Sequence, residues 1–202
     1  MSPRTYNSSR RRESAEATRE RIVMAAHGLL AEPAGVSAFT VEAVARRAGV
    51  ARMTVYNQFG SKAALLEALF DLMVRRGGID QGMPKVFRVG DPLDAFAVMF
   101  DVLARYYSTD RTVKRRVHAL AALQPDVARA LGLREDRRRR GIRTLLGRMG
   151  RPWPPARLDD LEQLVFTLTS FESFDTLAGP YRAFPDVAPL LAATVRAVLS
   201  AE

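Results

Sequence analysis

Apolar residues recur along this chain every three to four positions, and no alternation long enough to make a strand interrupts them. The pattern predicts about nine helices and an all-α protein. The first covers 15–31, with Ile22, Ala25, Ala26, Leu29 and Leu30 on one face; Pro33 and Gly35 end it. Short helices follow at 40–48, where Val41, Val44 and Ala45 form the stripe, and at 51–59, where Val55 and Phe59 turn inward. A fourth, 61–76, opens on Ser61 as a helix cap and buries Leu65, Leu66, Leu69, Phe70 and Met73. The Gly- and Pro-containing stretch 77–90 reads as a linker. Asp91-Pro92 then starts a helix over 92–107 that is apolar nearly all round and must be enclosed by others. Further helices are predicted at 111–123, at 126–149 with Gly132 as a possible interruption, at 158–177 and at 186–201. Residues 1–14, with Arg4, Arg10, Arg11 and Arg12, read as a disordered basic arm, either reaching along phosphates or an inert solvated tail.

The stretch 40–69 carries the chemistry. Gly49 separates two short helices, because glycine takes the positive φ of a sharp turn without steric cost. Val50 fills the apolar space between them, and the second helix leaves Arg52, Met53, Thr54, Tyr56, Asn57 and Gln58 mostly outward. Helix, glycine turn and polar-faced helix make a helix-turn-helix, whose second helix fits a DNA major groove.

The segment resembles the DNA-binding domain of TetR-family (tetracycline-repressor-like) transcriptional regulators. The matching pieces are Thr-Val-x-x-Val-Ala (40–45), Ala-Gly-Val (48–50), Thr-Val-Tyr (54–56), Phe59 and Ser-Lys-x-x-Leu-Leu (61–66), with 18–32 as the family's first helix. The likeness is strong over 18–73; beyond it only length and helical pattern agree. It implies that Thr40 helps hold a phosphate at a helix N-terminus. It sets Arg52 against a base edge, where bidentate contact with guanine O6 and N7 gives roughly 1–3 kcal/mol of discrimination. Thr54 would meet a thymine methyl or a phosphate, Tyr56 and Lys62 phosphates, and Asn57 and Gln58 either; Arg46 and Arg47 are weaker candidates. Three departures stand out. Ala51 replaces a frequent capping serine. Met53 occupies a position that is often small, to pack on a base methyl or filter sequences. Glu42 lies near the DNA side, to repel phosphate or accept from cytosine N4.

The resemblance further implies a first domain over 15–76 and a ligand-binding and dimerisation domain over 77–202. The last two predicted helices, near 158–177 and 186–201, would build a four-helix homodimer interface. A small apolar or amphipathic effector would sit among the middle helices and shift the helix after the recognition helix, a two-state switch. Candidate lining residues are Phe96, Met99, Phe100, Tyr106, Tyr107, His118, Leu123, Phe166 and Phe171, which at helical spacing equally suit a plain core. Glu172 and Asp175 fall on an otherwise apolar face. Buried acids need partners, and arginine pairing is preferred here over a polar ligand group.

Composition narrows the alternatives. The net charge is +9, with 12 Lys+Arg against 7 Asp+Glu in residues 1–78 and 19 against 15 thereafter. That favours a polyanionic partner, although 28 of the 31 basic residues are arginine, a bias that abundant alanine ties to GC-rich coding. No cysteine excludes disulfides, thiolate metal sites and cysteine nucleophiles and suits a reducing cytoplasm. No apolar run is long enough for a membrane span, and the N-terminus does not read as a secretory signal. Two histidines and no phosphate loop argue against an enzyme; no cofactor or metal is expected. The expectation is a dimeric, sequence-specific DNA-binding regulator at the bacterial nucleoid, a repressor released from a pseudo-palindromic operator by its effector. The alternative is a regulator or architectural protein of the same fold without a small ligand.

Overall fold

The structure is a computed structural model that describes residues 4–201, with side chains from Arg10 onward. Among the described residues every regular element is helical: α1 (Arg4–Ala31), α2 (Gly35–Ala38), α3 (Val41–Ala48), α4 (Arg52–Phe59), α5 (Lys62–Gly77), α6 (Ile79–Arg88), α7 (Pro92–Ser108), α8 (Arg111–Leu123), α9 (Pro125–Arg148), α10 (Pro155–Leu168), α11 (Phe171–Ala178) and α12 (Phe184–Ser200). The fold class is therefore all-α, with twelve helices among the described residues where nine were predicted.

Each difference has a local cause. The expected arm over 1–14 lies partly outside the described residues. From Arg4 its backbone is already helical, because no glycine or proline interrupts the chain between Arg4 and Gly28. The predicted linker 77–90 contains α6: Ile79, Met83 and Val86 recur at helical spacing and pack inward, a stripe masked in the sequence by Gly82 and Pro84. Gly82 is required there. A Cβ on it would lie 2.6 Å from Val102 Cγ1 and 2.9 Å from Cγ2, so the glycine sets how closely α6 lies on α7. The predicted helix 158–177 breaks at Thr169-Ser170, without glycine or proline at the break. Ser170 takes an extended ψ of 157° and its Oγ accepts from Ser173 N, starting α11 afresh. Gly132 does not interrupt α9.

The chain divides into two compact units. One holds the chain up to Leu72 together with Thr112–Ala130; the other holds Met73–Arg111 and the chain from Leu131 on. The first unit buries Ile22, Ala26 and Leu30 of α1, Val44 of α3, Val55 and Phe59 of α4, Leu65, Leu66 and Leu69 of α5, and Leu120 of α8. Local hydrophobic pattern gave no sign that 112–130 belongs to it. Arg116 donates to Leu30 O at 2.7 Å, and Lys62 pairs with Gln124, which ties that stretch to α1 and α5.

In the second unit α7 packs most extensively against α12 and α6. Its core includes Phe96, Met99, Phe100, Leu103 and Tyr107 of α7, Phe171 and Phe174 of α11, and Phe184, Leu191 and Val195 of α12. Rings of Tyr107, Phe171, Phe174 and Phe184 meet edge-on or tilted at centroid distances of 5.4–6.0 Å. The α10–α11 break is buried in this core yet hydrogen-bonded. Tyr107 donates to Thr169 O at 3.1 Å, and Arg138 donates to Phe166 O and to Thr169 Oγ1, each at 3.1 Å. Burial raises the phenol pKa of Tyr107, which keeps it a donor.

The two helical glycines with contrasting surroundings give a test of packing. Val102 is stiff at χ1, so Gly82→Ala should overpack and cost about 1–3 kcal/mol. Gly132, with nothing within 4 Å of its would-be Cβ, should gain up to about 1 kcal/mol as alanine. Thermal unfolding followed by circular dichroism should show the two midpoints moving in opposite directions.

Candidate nucleic-acid interface

α3 and α4 are eight residues each, too short to persist alone in water, and both are fixed at their ends. Thr40 caps α3, its hydroxyl accepting from Ala43 N at 3.1 Å. At the other end Gly49 adopts φ 64°, ψ 38°, and Val50 N reaches back to Ala45 O at 3.0 Å. α4 begins at Ala51, which supplies no side-chain cap, as its replacement of serine predicted. Gly60, at φ 75°, closes α4 by donating to Tyr56 O at 2.7 Å.

Two arginines that the sequence analysis did not single out hold the far ends of both helices. Arg21 of α1 donates to Ala48 O, the last carbonyl of α3, at 3.0 Å. Arg19, two residues before it, donates to Gln58 O near the end of α4 at 2.7 Å and lies 4.2 Å over the Phe59 ring. A cation at a helix C-terminus complements both the unpaired carbonyls and the dipole. The two-residue spacing was the available signal, but it is visible only once the helix ends are placed.

Arg52, Met53, Tyr56 and Asn57 share one face of α4 by their spacing, with Val55 and Phe59 buried on another side. Arg52, Met53 and Asn57 are exposed, Met53 to 66%; Thr54, Tyr56 and Gln58 are half-buried. Arg52 is not loose. Its Nε pairs with Glu42 Oε1 of α3 at 2.9 Å, and its Nη2 donates to Tyr56 Oη at 3.3 Å. The bond with Tyr56, and then the charge of Glu42, raise the Arg52 pKa above its ordinary value. Thr40 and Arg46 are also exposed. Arg47 is engaged with Glu32. Lys62, at the first turn of α5, is paired with Gln124 and lies 3.4 Å from Asp126 Oδ2.

The ligand candidates do not gather at one place. Phe96, Met99, Phe100, Tyr107 and Phe171 are core residues of the second unit, and Tyr106 and Phe166 pack against that core. His118 and Leu123 belong to the first unit, and Leu123 is 72% exposed, so it lines no enclosed site in this structure. Glu172 is exposed rather than buried, because the break at Thr169 takes α11 out of the register of α10. Asp175 has the expected arginine: Arg111 Nε donates to it at 2.7 Å while Arg111 Nη2 holds Gly179 O at 2.7 Å. The buried acid of this region is Glu162, flanked by Arg139 at 3.2 Å and Arg143 at 2.8 Å. Among the described residues no group of three acidic, histidine or cysteine side chains could hold a metal, and no helix is long and apolar enough to cross a membrane.

A short capped helix, a left-handed glycine turn and a second helix with a polar exposed face define a helix-turn-helix DNA-binding protein. Residues 22–69 match the family described as bacterial regulatory proteins, tetR family. Through this segment the chain is similar to the TetR family of transcriptional regulators. Solved structures extend the likeness in fold to most of the chain. A transcriptional regulator from Rhodococcus sp. Rha1 is 21% identical with a TM-score of 0.66, over 91% of this chain and 96% of that one. The TetR-family regulator PfmR from Thermus thermophilus is 23% identical with a TM-score of 0.59, over 87% and 96%. RolR, solved in complex with resorcinol, is 25% identical with a TM-score of 0.52, over 91% and 89%. No curated protein matches by sequence.

If Arg19 holds the end of α4, Arg19→Ala should speed amide exchange in the last turn of α4 about 2–10-fold, the equivalent of one hydrogen bond. Protection in α3, held by Arg21, should stay unchanged.

Proposed function

We propose that this chain is a dimeric, sequence-specific DNA-binding regulator that represses from a pseudo-palindromic operator and is released by a small apolar or amphipathic effector. The observation that carries the DNA-binding part is α4. Its one polar, exposed face presents Arg52, Met53 and Asn57 on a helix held at its C-terminal end by Gly60 and Arg19. Arg52 reads guanine, Thr54, Asn57 and Gln58 reach bases or phosphates, and Thr40, Arg46, Tyr56 and Lys62 hold the backbone. To reach a phosphate Lys62 has to exchange Gln124 and Asp126 for it.

Dimerisation is supported by apolar surface near the C-terminus. Leu164, Leu177 and Leu190 are 39–49% exposed, and Tyr181 is 95% exposed. On α12, Val187, Leu191 and Val195 are buried in the core while Leu190 and Thr194 are exposed. A two-fold dimer would present two recognition helices to half-sites about one DNA turn apart.

The effector is supported by the kinship in fold with a regulator solved with resorcinol, a small aromatic diol, and by the aromatic interior of the second unit. A second reading, a regulator of this fold without a small ligand, is favoured by one observation: Phe96, Met99, Phe100, Tyr107 and Phe171 are packed against one another as ordinary core.

Fluorescence anisotropy against DNA from upstream of its own gene and a scrambled duplex, at two salt concentrations, tests the DNA reading. Arg52→Ala should narrow the gap between the two duplexes. Lys62→Ala should weaken both equally and lower the salt slope by about 1. Equal binding of wild type to specific and scrambled DNA from every source tried would refute sequence reading. Leu190→Glu should convert a dimer to a monomer in sedimentation velocity and reduce operator affinity while the monomer stays folded.

A further inference from the structure

We propose that Glu42 is a specificity-determining residue, which holds the Arg52 guanidinium on the α3–α4 face so that it reads a base edge instead of settling on phosphate. The proposal rests on the DNA-binding reading above and names how its central contact is tuned.

Glu42 sits in the first turn of α3, one helix away from Arg52. Stabilising the helix end does not account for it alone, since Thr40 already caps that turn. Its carboxylate reaches instead to the recognition helix and takes Arg52 Nε at 2.9 Å. Tyr56, one turn along α4, takes Nη2 at 3.3 Å, and its ring lies 5.4 Å from the guanidinium carbon. Arg52 is thus bound along one edge by two groups from two helices. The end-on pair of Nη1 and one Nη2 hydrogen remains for two acceptors side by side. Guanine O6 and N7 are such a pair.

Both partners of the ion pair are more than half exposed, so solvent screens it and it does little for the fold. Its effect falls on binding. A carboxylate on a surface that meets a polyanion lowers affinity for every duplex. It also competes with phosphate for this one arginine and reduces the rotamer freedom that would be lost on contact. Non-specific complexes therefore lose from Glu42 more than specific ones do, and the difference is selectivity.

The test uses the full chain and two variants. Wild type is first used to enrich sequences from a randomised duplex library. The base pair at which Arg52→Ala loses preference then marks the Arg52 contact. Glu42→Gln keeps shape and removes charge. It should bind random duplex several-fold more tightly and lose about tenfold of the preference at that base pair, within the range a bidentate contact supplies. In the Arg52→Ala background Glu42→Gln should no longer alter base preference, although the gain on random duplex persists. Unchanged preference in Glu42→Gln, or the same change with and without Arg52, overturns the proposal and leaves the DNA-binding reading standing. Failure of wild type to enrich any sequence overturns both.

Discussion

The recognition surface depends on a length problem. α3 and α4 have eight residues each, below what a helix needs to hold together in water. Their persistence comes from burying Val44, Ala45, Val55 and Phe59, with α3 and α4 packed on α1 and on each other, and from closing their ends. Thr40, Gly49 and Gly60 close three ends from nearby in sequence, and Arg19 and Arg21 reach across from α1 to two of the C-termini. α1 is thus both floor and clamp, and the exposed face of α4 is free of structural duty. That freedom allows Arg52, Met53 and Asn57 to be chosen for what lies outside the protein.

The second unit solves a different problem, a polar interruption inside an apolar core. Splitting α10 from α11 leaves carbonyls without helical partners, and leaving them unpaired in a buried place would be costly. Tyr107 and Arg138 supply the missing donors. Four of the eight arginines of α9 have contacts of this kind within the protein. Arg138 and Arg139 lie 4.1 and 4.0 Å over the Phe166 ring, Arg139 and Arg143 flank Glu162, and Arg148 donates to the carbonyls of Phe87, Val89 and Gly90 at the end of α6. In the run Arg137–Arg140, Arg138 and Arg139 are engaged within the protein while Arg137 and Arg140 are exposed. The net charge of the chain therefore says less about DNA than the few residues of α4 do.

What the sequence revealed followed the range of the interaction. Helix periodicity, the Gly49 turn, the Ser61 and Asp91 caps and the inward Val55 and Phe59 are set by neighbours within a turn or two, and all were readable. The helix α6 was hidden because Gly82 and Pro84 looked like breakers; the need for Gly82 comes from Val102, on the next helix. The break at Thr169 was hidden because nothing local demands it, its donors lying at Tyr107 and Arg138. Asp175 was expected to pair with arginine, but the partner Arg111 could not be named from spacing. At the candidate site the outward residues of α4 were legible, whereas the contacts of Arg52 with Glu42 and of Lys62 with Gln124 join separate elements.

The assignment of Thr112–Ala130 to the first unit has a consequence for how this chain can be taken apart. The polypeptide passes from one unit to the other three times, so neither is a contiguous stretch of gene. A fragment ending at Gly77 would carry every residue proposed to meet DNA. It would still lack buried Val117, Leu120 and Val127, and the acceptors that hold Lys62. Grafting the first unit onto another protein, or replacing it, means moving two separated segments together. A single crossover would leave each half missing part of its interior.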